Sequence, residues 1–388
     1  MKNLRGIIVA AVFVALSLLL QTVARHFDVL MDMAYPFFSK TAVEFLGSTV
    51  GGSDVCLWQV ILAVYLAAVV VTLGLMILFR WNVFRWLGWV LAPAAIVYFL
   101  FTALWGLNYY NRPINESMKL EVPDYTVADL QEAARFYGQR ANRLSTQVSR
   151  DSSGNVELPT LAELNQAAEE GYNELVWNYS IFAGSRGPVK ALGWSSKFSA
   201  MGIDGVTVAL TGEAAVNLEQ YASRIPFNVC HEIAHLLAIA REDEANFAGF
   251  LACEASGDPL FQYSGYLEAF LYCANALYDT DRDAWEAVWQ DMSQALLHDV
   301  EQLNQVAASR EGPVQDSAQA VHNSYLQSNG QAEGIESYGQ ATDLLVAWYQ
   351  DQYVEDDTPE PTRFDPYNYD EVFPENTTEA ATEATEEG

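Results

Sequence analysis

Two histidines four residues apart with a glutamate between them, His231, Glu232 and His235, are the residues in this chain best placed to do chemistry. On a helix, positions i and i+4 are separated by about 40° around the axis, so both imidazoles lie on one face and can grip one ion. Glu232 is rotated from His231 by about 100°, too far to be an obvious third ligand but close enough to reach a water on that ion. Two imidazoles and a carboxylate suit Zn2+ with a fourth position left for water. The ion would lower the pKa of that water to about 7, and Glu232 would take its proton. The alternative is a solvated helix face that merely spells HExxH. The flanks, "IPFNVC" and "LLAIA", are apolar, which makes this a buried helix whose polar groups need partners, and a metal supplies one.

A third ligand is expected from the acidic run that follows. Glu242 and Asn246 are again four apart and share a face of the next helix, so Glu242 can ligate while Asn246 steadies an imidazole. The condition is geometric. On a continuous helix Glu242 would lie about 16 Å beyond His231, so the chain must turn between Leu237 and Arg241, where there is no Gly or Pro. Glu244 is the fallback ligand, and a solvated acidic helix start is the bland alternative for the whole run. Cys230 adjoins His231 but reads as a small buried hydrophobe, and Cys56, Cys230, Cys253 and Cys273 show no CxxC pairing; a Cys253–Cys273 bridge cannot be argued from spacing.

The elements that must carry these residues are mostly helical. Thr126 with Asp129, and Thr160 with Glu163, have the form of capping boxes at two helix starts. Residues 265–297 and 338–349 read as helices. "DGVTVAL", residues 204–210, alternates and is rich in Val and Thr, so it reads as a strand that continues after a bend into residues 212–216.

Three apolar runs precede all of this, at residues 6–24, 56–79 and 86–110, each close to or above the length that spans a bilayer. The first is read as an uncleaved anchor, because no small-residue cleavage site follows it. The loop "RWNVFR", with Arg80 and Arg85 and no acid, belongs on the cytoplasmic side with Lys2 and Arg5. The loop of residues 25–55 and everything after Tyr110 then face outward, with Trp105, Tyr109 and Tyr110 as interfacial aromatics. The expected organisation is a membrane domain over 1–112, a folded domain over 113–354 and a disordered acidic tail over 355–388. A formal net charge of −30 argues against nucleic-acid partners. No GxSxG or GxxxxGK is present, and the histidines lie about 120 residues beyond the last apolar run, which disfavours an intramembrane site.

HExxH followed by ExxAN resembles the gluzincin zinc metallopeptidases. More closely, "WGLNYYNRP" (105–113), "TGEAAVN" (211–217), "CHEIAH", "EDEANFAGFLAC" (242–253) and "NSYLQSNGQAEGIESYG" (323–339) resemble a bacterial family of membrane proteins of unknown function, with three spans and a zinc-peptidase-like domain. The resemblance covers the chain from the first span to about Tyr349. The gap to the third ligand is shorter than in gluzincins at large, and Asn246 stands where Asp is more usual. The implied fold is a mainly α membrane protein, with three transmembrane helices followed by an α+β, zincin-like extracytoplasmic domain. The implied activity is zinc-dependent hydrolysis of a peptide or protein substrate, anchored in the cell membrane with the N-terminus cytoplasmic. The alternative is a non-catalytic envelope or signalling protein with a structural metal. If the site is gluzincin-like, the strand containing Ala214, Ala215 and Val216 should edge the cleft and pair with substrate, although the same residues also read as an ordinary hairpin strand. For the oxyanion donor the candidates are Tyr263, Tyr266, Tyr272, His322 and Tyr338, with Tyr338 chosen first for its polar, Gly-rich surroundings.

Overall fold

The computed structural model describes residues 2–329, 331 and 338–354, with Lys2, Tyr338 and Gly339 described by their backbone alone. The acidic tail expected over 355–388 lies outside the described residues. Met1–Asp351 is one compact unit and Gln352–Gly388 a second.

The chain is mostly helical. It opens with α1 (Arg5–Ala24), α2 (Tyr35–Val50), α3 (Leu57–Leu78) and α4 (Val83–Leu104), of which α1, α3 and α4 are long and apolar enough to cross a membrane. α5 (Ile114–Met118), α6 (Val127–Leu144) and α7 (Leu161–Asn178) follow, then strand β1 (Lys190–Ala191), α8 (Ser195–Ala200) and strands β2 (Gly205–Val208) and β3 (Glu213–Val216). The rest is helical: α9 (Ile225–Leu236), α10 (Glu242–Ala255), α11 (Pro259–Thr280), α12 (Arg282–Trp289), α13 (Gln294–Arg310), α14 (Pro313–Ser328) and α15 (Tyr338–Tyr353).

Both capping boxes form. Thr126 and Thr160 each accept from the backbone three residues on, and Asp129 and Glu163 each reach back to the cap, satisfying amides that a helix start leaves unpaired. The core gathers around α9, α10 and α11. Tyr172 on α7 donates to the carbonyl of Cys230 at 2.7 Å, and Ser264 on α11 accepts from the amide of Phe227 at 3.0 Å, so α9 is gripped from two sides. Tyr137, Phe250 and Tyr266 meet edge-on or tilted where α6, α10 and α11 converge.

Three readings of the sequence need correction. The third apolar helix ends at Leu104, not Tyr110: Gly106–Tyr110 is a 3-10 turn, and Trp105 and Tyr109 are buried in protein rather than standing as interfacial aromatics. Residues 25–55, read as a loop, hold a π-helical turn, Leu30–Ala34, and the whole of α2. The helical stretch read over 265–297 is broken into α11, α12 and the start of α13, because Asp281 and Ser293 each cap a new helix.

The sheet sits on the N-terminal end of α3. Its order is β1-β3-β2, with β3 parallel to β1 and antiparallel to β2. Glu213 on β3 accepts from the amides of Leu57 at 2.8 Å and Trp58 at 3.1 Å, capping α3 with negative charge at the positive end of its dipole. Lys190 on β1 pairs with the same carboxylate at 2.8 Å, and both side chains are buried. Burial opposes ionisation of Glu213, but the bonds from Lys190 and the helix amides outweigh it and hold its pKa below the usual value. Removing one partner of such a pair strands a buried charge, which costs about 3–5 kcal/mol. Glu213→Ala is therefore expected to lower the thermal midpoint of the detergent-solubilised chain far more than removing an exposed pair partner, as in Arg135→Ala. An equal shift for the two variants would show that the sheet is not anchored on α3 in this way.

Candidate metal centre

α9 presents His231 and His235 on one face, as their spacing requires. The chain then reverses. Leu237 leaves the helix, Ala238 adopts a left-handed conformation at φ 64°, and α10 starts at Glu242 after Arg241 has returned to extended backbone. α10 can lie close to α9 because Gly249 faces it: a Cβ there would sit 3.2 Å from the amide nitrogen of His231.

The result is a cluster of three donors. His231 Nε2 and His235 Nε2 are 3.1 Å apart, and Glu242 lies 3.4 Å from the first and 3.8 Å from the second. Ligands bound tetrahedrally at about 2.0–2.1 Å are separated by roughly 3.4 Å, so these spacings fit one small divalent ion. His235 Nδ1 lies 2.8 Å from the carbonyl of Ile239, which places the proton on Nδ1 and leaves Nε2 with its lone pair, the tautomer a metal needs. The three side chains are 10–16 % exposed, so the cluster is sheltered yet reachable. Burial raises the Glu242 pKa, but the surrounding imidazoles of His231, His235 and His322 outweigh it and bring it down to about 2.

Glu232 stands outside that donor set. It is buried, and its carboxylate accepts from Thr207 on β2 at 2.6 Å, while the same hydroxyl lies 3.0 Å from the Glu232 carbonyl. Gly205 makes room for it: a Cβ there would fall 2.7 Å from the Glu232 carboxyl carbon. Burial is the main influence on its pKa and raises it to about 7, against the opposing pull of His235 and Thr207.

The fallback ligand is turned away. Glu244 accepts from the amide of Ile114 at 3.2 Å and lies 3.6 Å from Arg241. Asn246 is buried on α10 one turn after Glu242, but among the described residues neither its Nδ2 nor His231 Nδ1 has a hydrogen-bond partner, so the expected bond steadying that imidazole is not formed. Among the candidate oxyanion donors, Tyr263 bonds Asp299 and Tyr266 bonds Glu254, both committed to the core. The side chain of Tyr338 lies outside the described residues. His322 on α14 does reach the cluster, 4.0 Å from Glu242. Tyr325, one turn on, was not singled out from the sequence; its hydroxyl lies 3.4 Å from that of Tyr109. The helical spacing of His322 and Tyr325 was the available signal.

β3 cannot edge a cleft. It is the central strand, paired on both sides, and Ala214, Ala215 and Val216 are fully buried. β1 and β2 are the two outer strands, each with one edge unpaired by the sheet among the described residues, and β2 carries Thr207. The thiols of Cys56, Cys230, Cys253 and Cys273 are all free and buried. Cys253 shares a hydrogen bond with Cys230 across the α9–α10 contact, and burial is the leading cause that pushes its pKa up.

The chain belongs to a family described as protein of unknown function (DUF3810), whose model matches residues 33–346. No curated protein and no solved structure matches it.

The donor set makes a direct prediction. Outer partners of metal ligands are worth about 10–100-fold in affinity, so losing a ligand itself costs more than about 100-fold. His231→Ala, His235→Ala and Glu242→Gln should each do so in a zinc titration of the full chain, whereas Glu244→Gln should leave the affinity unchanged. Equal losses for Glu242→Gln and Glu244→Gln would assign the third position wrongly.

Proposed function

We propose that this member of the family is a membrane-anchored zinc metallopeptidase that hydrolyses peptide bonds outside the cytoplasmic membrane. The observation that carries the reading is the division of labour among four side chains: three converge as donors, and a fourth, Glu232, is buried beside them but held apart by Thr207. A structural metal site has no use for a separate buried carboxylate at its rim.

His231, His235 and Glu242 would hold the ion, which when bound supplies a water acidic enough to be deprotonated near neutral pH. Glu232 then accepts a proton at its carboxylate and returns it to the leaving amine, with Thr207 fixing its orientation. The free edge of β2 offers backbone groups to an extended peptide by strand addition, next to the base that Thr207 holds. His322, on α14, is the donor best placed to meet developing negative charge on the substrate oxygen. Sidedness follows from Arg80 and Arg85 between α3 and α4, which favour a cytoplasmic position for that loop and an outward one for α9 and α10.

Glu232→Gln separates catalysis from metal holding. Cleavage of an unstructured peptide mixture by the full chain should fall by about 10²–10⁴-fold, the usual worth of general acid–base catalysis, with zinc content unchanged. Gly205→Ala, which crowds that carboxylate, should lower cleavage in the same direction while zinc stays bound. A wild-type chain that binds one zinc and cleaves nothing would favour the structural-metal alternative.

A further inference from the structure

The metal cluster is joined directly to the end of an apolar helix. Trp105, the residue that ends α4, donates from its indole to the carbonyl of His235 at 3.0 Å and sets its ring edge-on to that imidazole. Phe101, one turn earlier in α4, lies against Trp105 and against Tyr325 of α14. A single layer of side chains therefore separates the ligand helix from the last turn of a helix long and apolar enough to span a bilayer.

The segment between α1 and α3 points the same way. One face, Met31, Tyr35, Ser39 and Val43, is buried. Tyr35 donates toward the carbonyls of Thr102 and Ala103 at the end of α4, Ser39 accepts from Asn108 at 2.8 Å, and Lys40 donates to the carbonyls of Ile181 and Ala183. The segment is thus clamped to the same turn that carries Trp105. Elsewhere on it Phe27, Val29, Met33, Phe37 and Phe45 are 58–75 % exposed. Removing such side chains from water is favourable, and exposure to water leaves that gain unrealised. Beside them an apolar groove of about 260 Å³ opens between α1 and α2, lined by Leu20, Val23, Leu30, Tyr35, Phe38 and Leu107. Leu18 and Leu19, which precede the groove's Leu20 on α1, also lie uncovered. Lipid would suit both: an acyl chain would fill the groove, and aromatic rings are favoured at headgroup level.

We propose that the metal centre works at the membrane surface, on a polypeptide anchored in the same bilayer, with residues 27–45 seated in the outer leaflet to hold the centre at that height. This rests on the metallopeptidase reading and names its substrate class. An extended chain covers about 3.3–3.6 Å per residue, so a scissile bond within a few residues of its anchor reaches a centre held this low.

The test uses the full chain in phosphatidylcholine–phosphatidylglycerol vesicles, with one unstructured peptide mixture offered both free and palmitoylated at its N-termini. Sharing a surface raises effective concentration, so the palmitoylated mixture should be cleaved about 10²-fold faster, and the advantage should vanish in detergent. Equal rates in vesicles would overturn the proposal while leaving the peptidase reading standing; cleavage of neither mixture by a zinc-loaded chain would overturn both. A second measurement needs no substrate. Nitroxides on Phe37→Cys and Phe45→Cys, positions exposed enough to accept them, should collide mainly with oxygen dissolved in lipid, and one on Trp177→Cys, 85 % exposed on α7, mainly with a water-soluble nickel chelate. Chelate collisions at 37 and 45 that match those at 177 would remove the lipid seat.

Discussion

The reversal of the chain between α9 and α10 is the constraint from which the centre follows. On an uninterrupted helix Glu242 would stand about 10 Å past His235; after the reversal its carboxylate is 3.8 Å away. The turn is made without glycine. Ala238 takes a left-handed conformation, at a cost of roughly 1–2 kcal/mol for a residue with a Cβ. Three bonds from the amides of Leu237, Ala238 and Ile239 back into the last turn of α9 offset that cost, and the side chains of Leu237 and Ile239 are buried. The carbonyl of Ile239, freed by the turn, is also the group that settles the tautomer of His235. One local backbone choice therefore positions the third donor and prepares the second.

How much of this was legible in the sequence depended on the range of the interaction concerned. The imidazole pair, the capping boxes and the three apolar helices are written in spacings of three, four or about twenty residues, which the helix itself enforces. The need for a turn before Glu242 was deducible because the alternative was geometrically impossible. What could not be read was the lateral order of the sheet. A hairpin of β2 and β3 was visible, but the two-residue β1 that makes β3 central has no pattern of its own, so Ala214, Ala215 and Val216 looked like an edge. α2 was obscured because it mixes Phe37, Phe38 and Phe45 with Ser39, Lys40 and Glu44, a pattern that makes sense only against two different surroundings. The place of His322 beside Glu242 depends on how α14 lies across the cluster, which no local spacing records.

Charges within the fold are placed where they serve two neighbours at once. Glu213 ends the hairpin and caps α3; Lys190 neutralises it and also donates to the carbonyls of Val50, the last residue of α2, and Val55, just before α3. Gln59, one turn into α3, exchanges bonds with both the amide and the carbonyl of Gly193. The strand that supports Thr207, and through it Glu232, is thus tied through β3 to an apolar helix, just as His235 is tied to another through Trp105.

The indole of Trp105 acts as a strut between α4 and the carbonyl of His235, with no flexible linker in the path. Helices that cross a bilayer answer a change in its thickness by changing tilt. If α3 and α4 cross a bilayer, as proposed, a tilt of α4 would reach α9 through that strut while α3 holds β2 through β3, so the load would fall on the Thr207–Glu232 contact that aims the carboxylate.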